Sequence, residues 1–289
     1  MAGCKFRRVD KMTVTPAVEE EEEKKPTEGF PPDETRLGII SAVIAVIITI
    51  LLPVLPAVIK AVGVIFTLLW GADSVRKTSK YGLGTGVPSI GVLAMGYGIV
   101  GAILGTAFAS KTGYAAGALG GVLIMGGVGY LSGVMSNSEK FIGMKIPGLE
   151  RGMMELGLAG SLAMLLQFSI VAGSLNFDVV MDKAISTGII ALLFILSCMA
   201  MFHPYNACLG PDERRPRTLM VSVEISGLLC AILGIILVVT AGSMWGVADG
   251  VSLVIFGALV WLVFYVKFVK AAMREAYSVV GTGLIKTIE

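Results

Sequence analysis

Charged residues are scarce in this 289-residue chain, in which 15% of the residues are charged and 55% are hydrophobic. The mean hydropathy of +0.83 lies well outside the range of soluble domains. The ten-residue alternating segments of membrane barrels are absent. Apolar runs recur instead near the ~20 residues that a helix needs to cross a bilayer. Composition therefore predicts an all-α fold, a polytopic transmembrane helix bundle.

Residue types that bind metals or act as nucleophiles are also scarce. The chain has one histidine and four cysteines, and none of them stand at the CxxC or CxxH spacing of a zinc or redox site. No serine or cysteine lies in a recognised nucleophile motif, and no nucleic-acid-binding motif occurs. The sequence predicts no complete active site in this chain, no cofactor bound by it and no nucleic-acid partner.

The apolar runs divide the chain into eight predicted spans. They cover residues 37–53, 56–72, 83–109, 113–135, 153–174, 183–202, 219–241 and 248–268. The first two are separated only by Pro53-Val-Leu-Pro56, which predicts a tight hairpin because proline interrupts helices. Residues 37–59 taken as a single helix would give seven spans.

Basic residues predict the orientation of these spans. The loops 71–82, 136–151 and 203–218 and the C-terminal end each carry three or more Lys or Arg, whereas each intervening loop carries one or none. Such alternation indicates that the chain crosses the cell membrane eight times, with both termini cytoplasmic. The spans are then in contact with membrane lipids. The predicted membrane domain is residues 37–270, followed by a cytoplasmic tail at 271–289.

The first 36 residues differ in composition from the rest. An acidic run, Glu19 to Glu23, is followed by two lysines and three prolines, with few groups that could form a core. Such a segment cannot offset its ordering entropy by burial. We expect a disordered acidic cytoplasmic tail at residues 1–36.

Two glutamates occupy matching positions in two similar segments. Glu155 and Glu224 are each followed by sixteen mostly apolar residues and then Ala-Gly-Ser. Ionisable groups inside apolar spans are costly and often mark an ion path. The glutamates, with the hydroxyls of Ser222 and Ser226, are predicted Na⁺ ligands because hard cations prefer oxygen. Alternatively, they are carboxylates stabilised in the first turns of helices.

Three aspartates bracket the loops that are poor in basic residues. Asp178, Asp182 and Asp249 are predicted to form an acidic outer mouth that concentrates cations. The alternative is that they are solvated helix caps, with Asp249 beginning the last helix.

Glycine is concentrated in the third and fourth spans, where sixteen of the 37 glycines lie between Gly82 and Gly133. Gly113, Gly117 and Gly121 recur every fourth residue, a spacing that places small residues on one helix face and allows close helix contact. The contact is either within this chain or a subunit interface or pore wall.

The segment between the sixth and seventh spans is polar and bracketed by prolines. It is the predicted docking site for a cytosolic partner, against the alternative of arginines that only set topology. The predicted docking residues are His203, Asn206, Asp212, Glu213, Arg214, Arg215 and Arg217.

This region also carries a resemblance to a known family. The stretch Cys198-Met-Ala-Met-Phe-His-Pro-Tyr-Asn-Ala-Cys-Leu-Gly-Pro-Asp-Glu213, followed by Arg217-Thr-Leu, resembles the C subunit of tetrahydromethanopterin S-methyltransferase. That enzyme is the membrane methyltransferase complex of methanogenic archaea. The resemblance covers about residues 36–280.

The resemblance implies an integral-membrane subunit of a larger complex. That complex moves a methyl group from N5-methyl-tetrahydromethanopterin to coenzyme M through a corrinoid (cobamide) on another subunit, and couples this transfer to Na⁺ export. The expected partners are its other membrane and cytosolic subunits. We expect this chain to contribute to the Na⁺ path and to dock the corrinoid-carrying subunit. The alternatives are a self-contained secondary transporter and a purely structural scaffold.

Overall fold

The computed structural model describes residues 32–79, 86–137, 148–207 and 215–281. Of the predicted acidic tail, residues 1–31 lie outside the described residues, as do residues 282–289 of the C-terminal tail. The regular structure in the described ranges is entirely helical, which confirms the all-α prediction.

The described ranges contain nine α-helices, numbered in chain order. They are α1 Pro32–Ile50, α2 Ala57–Ser79, α3 Gly86–Thr112, α4 Ala118–Ser136, α5 Leu149–Ala172, α6 Phe177–Val180, α7 Ile189–Ala207, α8 Arg215–Thr240 and α9 Met244–Gly281. Short 3₁₀ turns at Leu52–Val54 and Ala115–Gly117 precede α2 and α4, and a π-helical turn, Met181–Ile185, follows α6.

Within the described ranges, five helices are long and apolar enough to cross a membrane. They are Ala57–Lys77, Ala115–Ser136, Leu149–Ala172, Met220–Thr240 and Met244–Arg274. A sixth span arises if Phe177–Ile185 and Ile189–Phe202, which meet at 79°, are taken together. Each of the eight predicted spans overlaps a helix, but the apolar part of α1 is only Gly38–Ile50. The bundle is therefore that of a multi-pass membrane protein, and eight crossings stays a prediction.

Helices α1 and α2 form an antiparallel hairpin. Ile48 lies against Gly63, and Gly38 lies against Asp73, so residues progressively farther from the connecting turn face each other. Of the two prolines predicted to break the chain, Pro53 lies within this turn and Pro56 directly precedes α2. Residues 37–72 thus fold as two helices.

Helix α5 is the core of the bundle, because 20 of its 24 residues are buried. It packs against α2, α3 and α4. Gly148 and Gly173, with φ of +73° and +72°, bound it. Glycine adopts this left-handed conformation without strain, so it ends helices efficiently. The repeated Ala-Gly-Ser therefore marks helix ends, since α8 likewise stops at Thr240, directly before its own copy.

Glycines bring α3, α4 and α5 into backbone contact. A methyl group added at Gly98 would lie 2.6 Å from the carbonyl carbon of Gly160, and one at Gly105 would lie 2.8 Å from the Ala118 carbonyl oxygen. These glycines make contacts within the chain, as one alternative predicted. The prediction that Gly113, Gly117 and Gly121 share one helix face was wrong. Gly113, with φ +73°, follows α3, and α4 begins only at Ala118.

A second close contact joins α8 and α9. Added methyl groups at Gly227 and Gly234 would lie 2.9 and 2.7 Å from the carbonyl oxygens of Gly257 and Gly250. Helix α9 is otherwise poorly covered, with 17% of its apolar stretch buried. Its remaining surface is available to lipid or to neighbouring subunits.

Replacing Gly98 by alanine is expected to destabilise the protein by about 1–3 kcal/mol, because the methyl group would push α3 away from α5. The thermal stability of the detergent-solubilised protein measures this effect. Gly96→Ala is the matched control: it lies on the same helix, and its added methyl meets no atom within 4 Å. Equal melting temperatures for the two variants would contradict the packing argument.

Candidate functional site

Charged side chains are buried where the end of α2 meets the start of α5. We call this the basic end, and we call the end formed by residues 51–56, 113–117 and 173–176 the opposite end. The sequence assigned residues 71–82 to a loop, but α2 continues to Ser79. As a result, Asp73, Arg76 and Lys77 are buried inside the bundle. The loop assignment was wrong for residues 71–79 because apolar length alone ended the predicted span.

Asp73 is the acidic centre of this end. Its side chain is 0% exposed, with Lys77 Nζ 2.8 Å from Oδ2 and Arg76 Nε 3.7 Å from Oδ1. The three residues stand at i, i+3 and i+4, the spacing at which helical side chains meet. A methyl group on Gly38 would lie 3.1 Å from both Asp73 Oδ2 and Lys77 Nζ, so the α1 backbone approaches the pair closely at this glycine.

Glu155 lies beside this group on α5. Arg151 Nε donates a hydrogen bond to Glu155 Oε1 at 2.6 Å, and the side chains are 49% and 9% exposed, respectively. Ser74 Oγ of α2 donates to the Gly152 carbonyl oxygen at 3.3 Å and links the two helices. A buried carboxylate is thus held by an arginine that reaches the surface.

An open cavity of about 370 Å³ adjoins these residues, and Lys77, Arg151 and Glu155 line it together with Gly38 and Trp70. Asp73, Arg76, Lys77, Arg151 and Glu155 form what we call the basic-end cluster, three cations against two carboxylates. The sequence singled out only Glu155 from it. The i, i+4 spacing of Asp73 with Lys77, and of Arg151 with Glu155, is the signal that would have found the rest.

Glu224 has a different environment from Glu155. It is half-buried on α8, and among the described residues it makes no ion pair. Ser222 and Ser226 are buried, and the Ser226 hydroxyl donates to the Ser222 carbonyl at 2.6 Å. Residues two apart on a helix are separated by about 200°, so Glu224 lies on another face than these two serines. The matching positions in the sequence do not give matching sites.

The three predicted outer aspartates have different surroundings. Asp178 and Asp182 are exposed on α6 and the π-helical turn, where Asn176 caps α6 by accepting from the Asp178 and Val179 amides. Asp249 was expected to begin the last helix, but α9 begins at Met244. Its Oδ2 instead accepts a long hydrogen bond, 3.5 Å, from Ala57 N at the start of α2. The acidic outer mouth stays a prediction.

The predicted docking residues lie around the α7–α8 connection. The backbones of His203 and Asn206 belong to the last turns of α7, while Arg215 and Arg217 open α8. Asp212, Glu213 and Arg214 lie outside the described residues. Their role in docking stays a prediction.

In the described ranges, no group of three or more His, Cys, Asp or Glu could hold a metal ion. The basic-end cluster can bind charged groups and exchange ion pairs, and its five described residues contain no nucleophile–base pair.

Comparison with known proteins decides the family. The family model described as MtrC, the C subunit of tetrahydromethanopterin S-methyltransferase, matches residues 18–289. The chain belongs to this family. The C subunit of Methanosarcina mazei is 38% identical over 253 residues, covering 88% of this chain and 91% of that protein. That of Methanopyrus kandleri is 37% identical over 275 residues, covering 94% and 95%. That of Methanothermobacter thermautotrophicus is 37% identical over 248 residues, covering 86% and 90%.

The resemblance inferred from residues 198–219 is thereby confirmed. Membership of a family of methyltransferase subunits places the chain in a multi-subunit methyltransferase complex.

Asp73→Asn is expected to destabilise the protein by about 3–5 kcal/mol, because it removes the buried carboxylate that lies 2.8 Å from Lys77 Nζ. The double variant Asp73→Asn/Lys77→Met should recover part of this loss, since both charges are then removed. Denaturant unfolding of the unmodified protein, the two single variants Asp73→Asn and Lys77→Met, and the double variant measures the coupling free energy between the two residues. Additive losses would show that the 2.8 Å pair contributes nothing.

Proposed function

We propose that this chain is a non-catalytic membrane subunit that contributes to the Na⁺ path of the complex and docks its corrinoid-carrying subunit. In this proposal, methyl transfer from N5-methyl-tetrahydromethanopterin to coenzyme M drives Na⁺ export. The observation that carries it is the buried Glu155 carboxylate, held by a half-exposed arginine at an open cavity.

The excess of Lys and Arg supports an orientation in which the basic end and both termini face the cytoplasm. The Glu155 cavity then opens towards the side from which Na⁺ is exported and on which cytosolic partners dock. Na⁺ enters the protein as cargo there.

The pairing of Glu155 with Arg151 supplies a means of control. A carboxylate neutralised by a guanidinium at 2.6 Å attracts Na⁺ only weakly. The Arg151 side chain is 49% exposed and can turn towards an acidic group on a docked partner, whereas Glu155 is fixed by burial. Once Arg151 turns away, the carboxylate faces the cavity as an oxygen ligand suited to a hard cation.

Such an exchange links docking to Na⁺ binding. Both events favour the arrangement in which Arg151 has left Glu155, so each promotes the other by the same coupling free energy, typically about 1–3 kcal/mol. Lys77 does not replace Arg151, because Asp73 holds its Nζ at 2.8 Å.

Glu224 contributes to the path from a different surface. It lies on α8, whose apolar stretch is 44% buried, and a carboxylate facing lipid is costly. In the proposal this face of α8 meets a neighbouring membrane subunit that supplies further ligands. The exposed Asp178 and Asp182 then concentrate cations at the opposite end, with Asp249 nearby.

Glu155→Gln is expected to raise the Na⁺ concentration for half-maximal methyl transfer in vesicles by about tenfold, because a charged ligand is lost. Arg151→Gln should lower that concentration, since Glu155 is then permanently free. Glu150→Gln is the matched control, because it removes the same charge from the same helix. The Glu150 carboxylate accepts a hydrogen bond from Asn137 Nδ2.

Glu224→Gln, measured in the same assay, tests the second carboxylate. The proposal fails for both residues if the Glu155→Gln and Glu224→Gln variants show the same Na⁺ dependence as Glu150→Gln. Neither carboxylate would then belong to the Na⁺ path, and this chain would have only a packing role.

Replacing Arg214, Arg215 and Arg217 together by glutamine is expected to weaken retention of the corrinoid-carrying subunit by about tenfold and to reduce its salt dependence. Co-purification of the complex at increasing ionic strength measures both. The control is the triple variant of Lys267, Lys270 and Arg274 in α9, which removes the same charge. Equal retention in the two triple variants would eliminate this docking surface.

The bend of 79° between α6 and α7 favours a second candidate, a self-contained secondary transporter, because broken helices form ion sites in such proteins. Ion flux through vesicles containing this chain alone would support it. Assembly and pumping that survive neutralisation of every acidic candidate would instead support the scaffold alternative.

A further inference from the structure

A second cavity, of about 380 Å³, opens at the opposite end of the bundle. It lies where the turn before α2, the end of α3 and the connection after α5 meet. Its polar lining residues are Lys60, Ser110, Tyr114, Ser169, Ser174 and Asn176. None of the described residues that line it carries a carboxylate.

Lys60 is an unusual residue for this position. It is 8% exposed and lies in the first turn of α2, where the helix dipole disfavours a cation and burial adds a further cost. Among the described residues, no group accepts a hydrogen bond from Nζ and no carboxylate pairs with it. Asp249 acts on Lys60 through its charge, but its Oδ2 lies 3.5 Å from Ala57 N.

The other lining groups offer donors as well. The Ser174 oxygen accepts from Asn176 N at 3.2 Å, which leaves its hydrogen free to donate. Asn176 Oδ1 caps α6, which leaves its amide nitrogen free. The Ser169 hydroxyl has no hydrogen-bond partner among the described residues. A lysine side chain that is 8% exposed and shares a cavity lining with unused donors is suited to an anion with several oxygen acceptors.

We propose that this cavity binds a phosphate group through the Lys60 ammonium and the hydroxyls of Ser169 and Ser174. The rim favours a phosphate that belongs to a lipid headgroup. Tyr114, which lines the cavity, is 74% exposed, and Val54, next to the lining residue Pro53, is 78% exposed. Tyrosine is enriched at membrane–water interfaces. The cavity also lies at the ends of α2, α3 and α5, the level at which headgroups meet a bundle. Free inorganic phosphate has the same acceptor chemistry and is the other source.

The test uses the complete delipidated methyltransferase complex in detergent, titrated separately with phosphatidylglycerol and with inorganic phosphate. Native mass spectrometry counts the bound molecules. Lys60→Met is expected to weaken the binding of one molecule per copy of this chain by at least about tenfold, because a charge-assisted contact is lost. Lys111→Met is the matched control: it removes an exposed lysine near the end of α3, outside the lining.

Loss of phosphatidylglycerol alone in Lys60→Met identifies the lipid as the source, and loss of phosphate binding identifies the free anion. The proposal is overturned if Lys60→Met binds phosphatidylglycerol and inorganic phosphate as tightly as Lys111→Met does. Lys60 would then serve only as an electrostatic partner of Asp249. If the complex with Lys60→Met does not assemble, the same titrations are made with Ser169→Ala and with Ser174→Ala. Unchanged affinity for both ligands in both variants would also overturn the proposal. The outcome leaves the roles proposed for Glu155 and Glu224 untouched, since neither carboxylate lines this cavity.

Discussion

Close backbone contact around α5 is the constraint on which the rest of the structure depends. Lipid provides no hydrophobic drive for helix association, so helices must gain contact energy by approaching closely. Gly98, Gly105 and Gly160 allow this approach, and a methyl group at Gly98 would meet backbone at 2.6 Å. Helix α5 becomes almost fully buried in consequence. Because α2 and α5 are held against each other, their charged ends are buried as well.

The burial of those ends changes what their charges can do. At a bundle surface, Asp73, Lys77, Arg151 and Glu155 would be solvated residues contributing little to stability. Inside the bundle, each carboxylate is paired with a cation, at 2.8 and 2.6 Å. An unpaired charge at such a buried position is costly. Within the described cluster, Arg151 alone combines an ion pair inside with substantial exposure outside, and this is why it is the element of control in the proposed mechanism.

The two ends of the bundle are electrostatically distinct. The basic end holds paired charges beside its cavity, whereas the cavity at the opposite end presents Lys60 without a described ion-pair partner. Paired charges can exchange partners, while a largely buried lysine with no carboxylate in contact favours a bound anion. The α8–α9 pair, joined by its own glycines, leaves much of its surface uncovered and is the side of the chain suited to contact other subunits.

By itself, the sequence determined the all-α membrane class, the family and the approximate helix positions, because hydrophobic length and a distinctive stretch after Cys198 are local properties. It also placed Glu155 among the residues of interest. It could not show that Asp73 and Lys60 are buried, since both fell at predicted span ends and burial depends on which helices cover them. Nor could it separate Glu155 from Glu224, each of which precedes an apolar run of the same length that ends in Ala-Gly-Ser. Only tertiary packing decided that Glu155 lies in the core beside Arg151 while Glu224 lies on a half-covered helix, because helix neighbours, and not chain position, set the surroundings of a side chain.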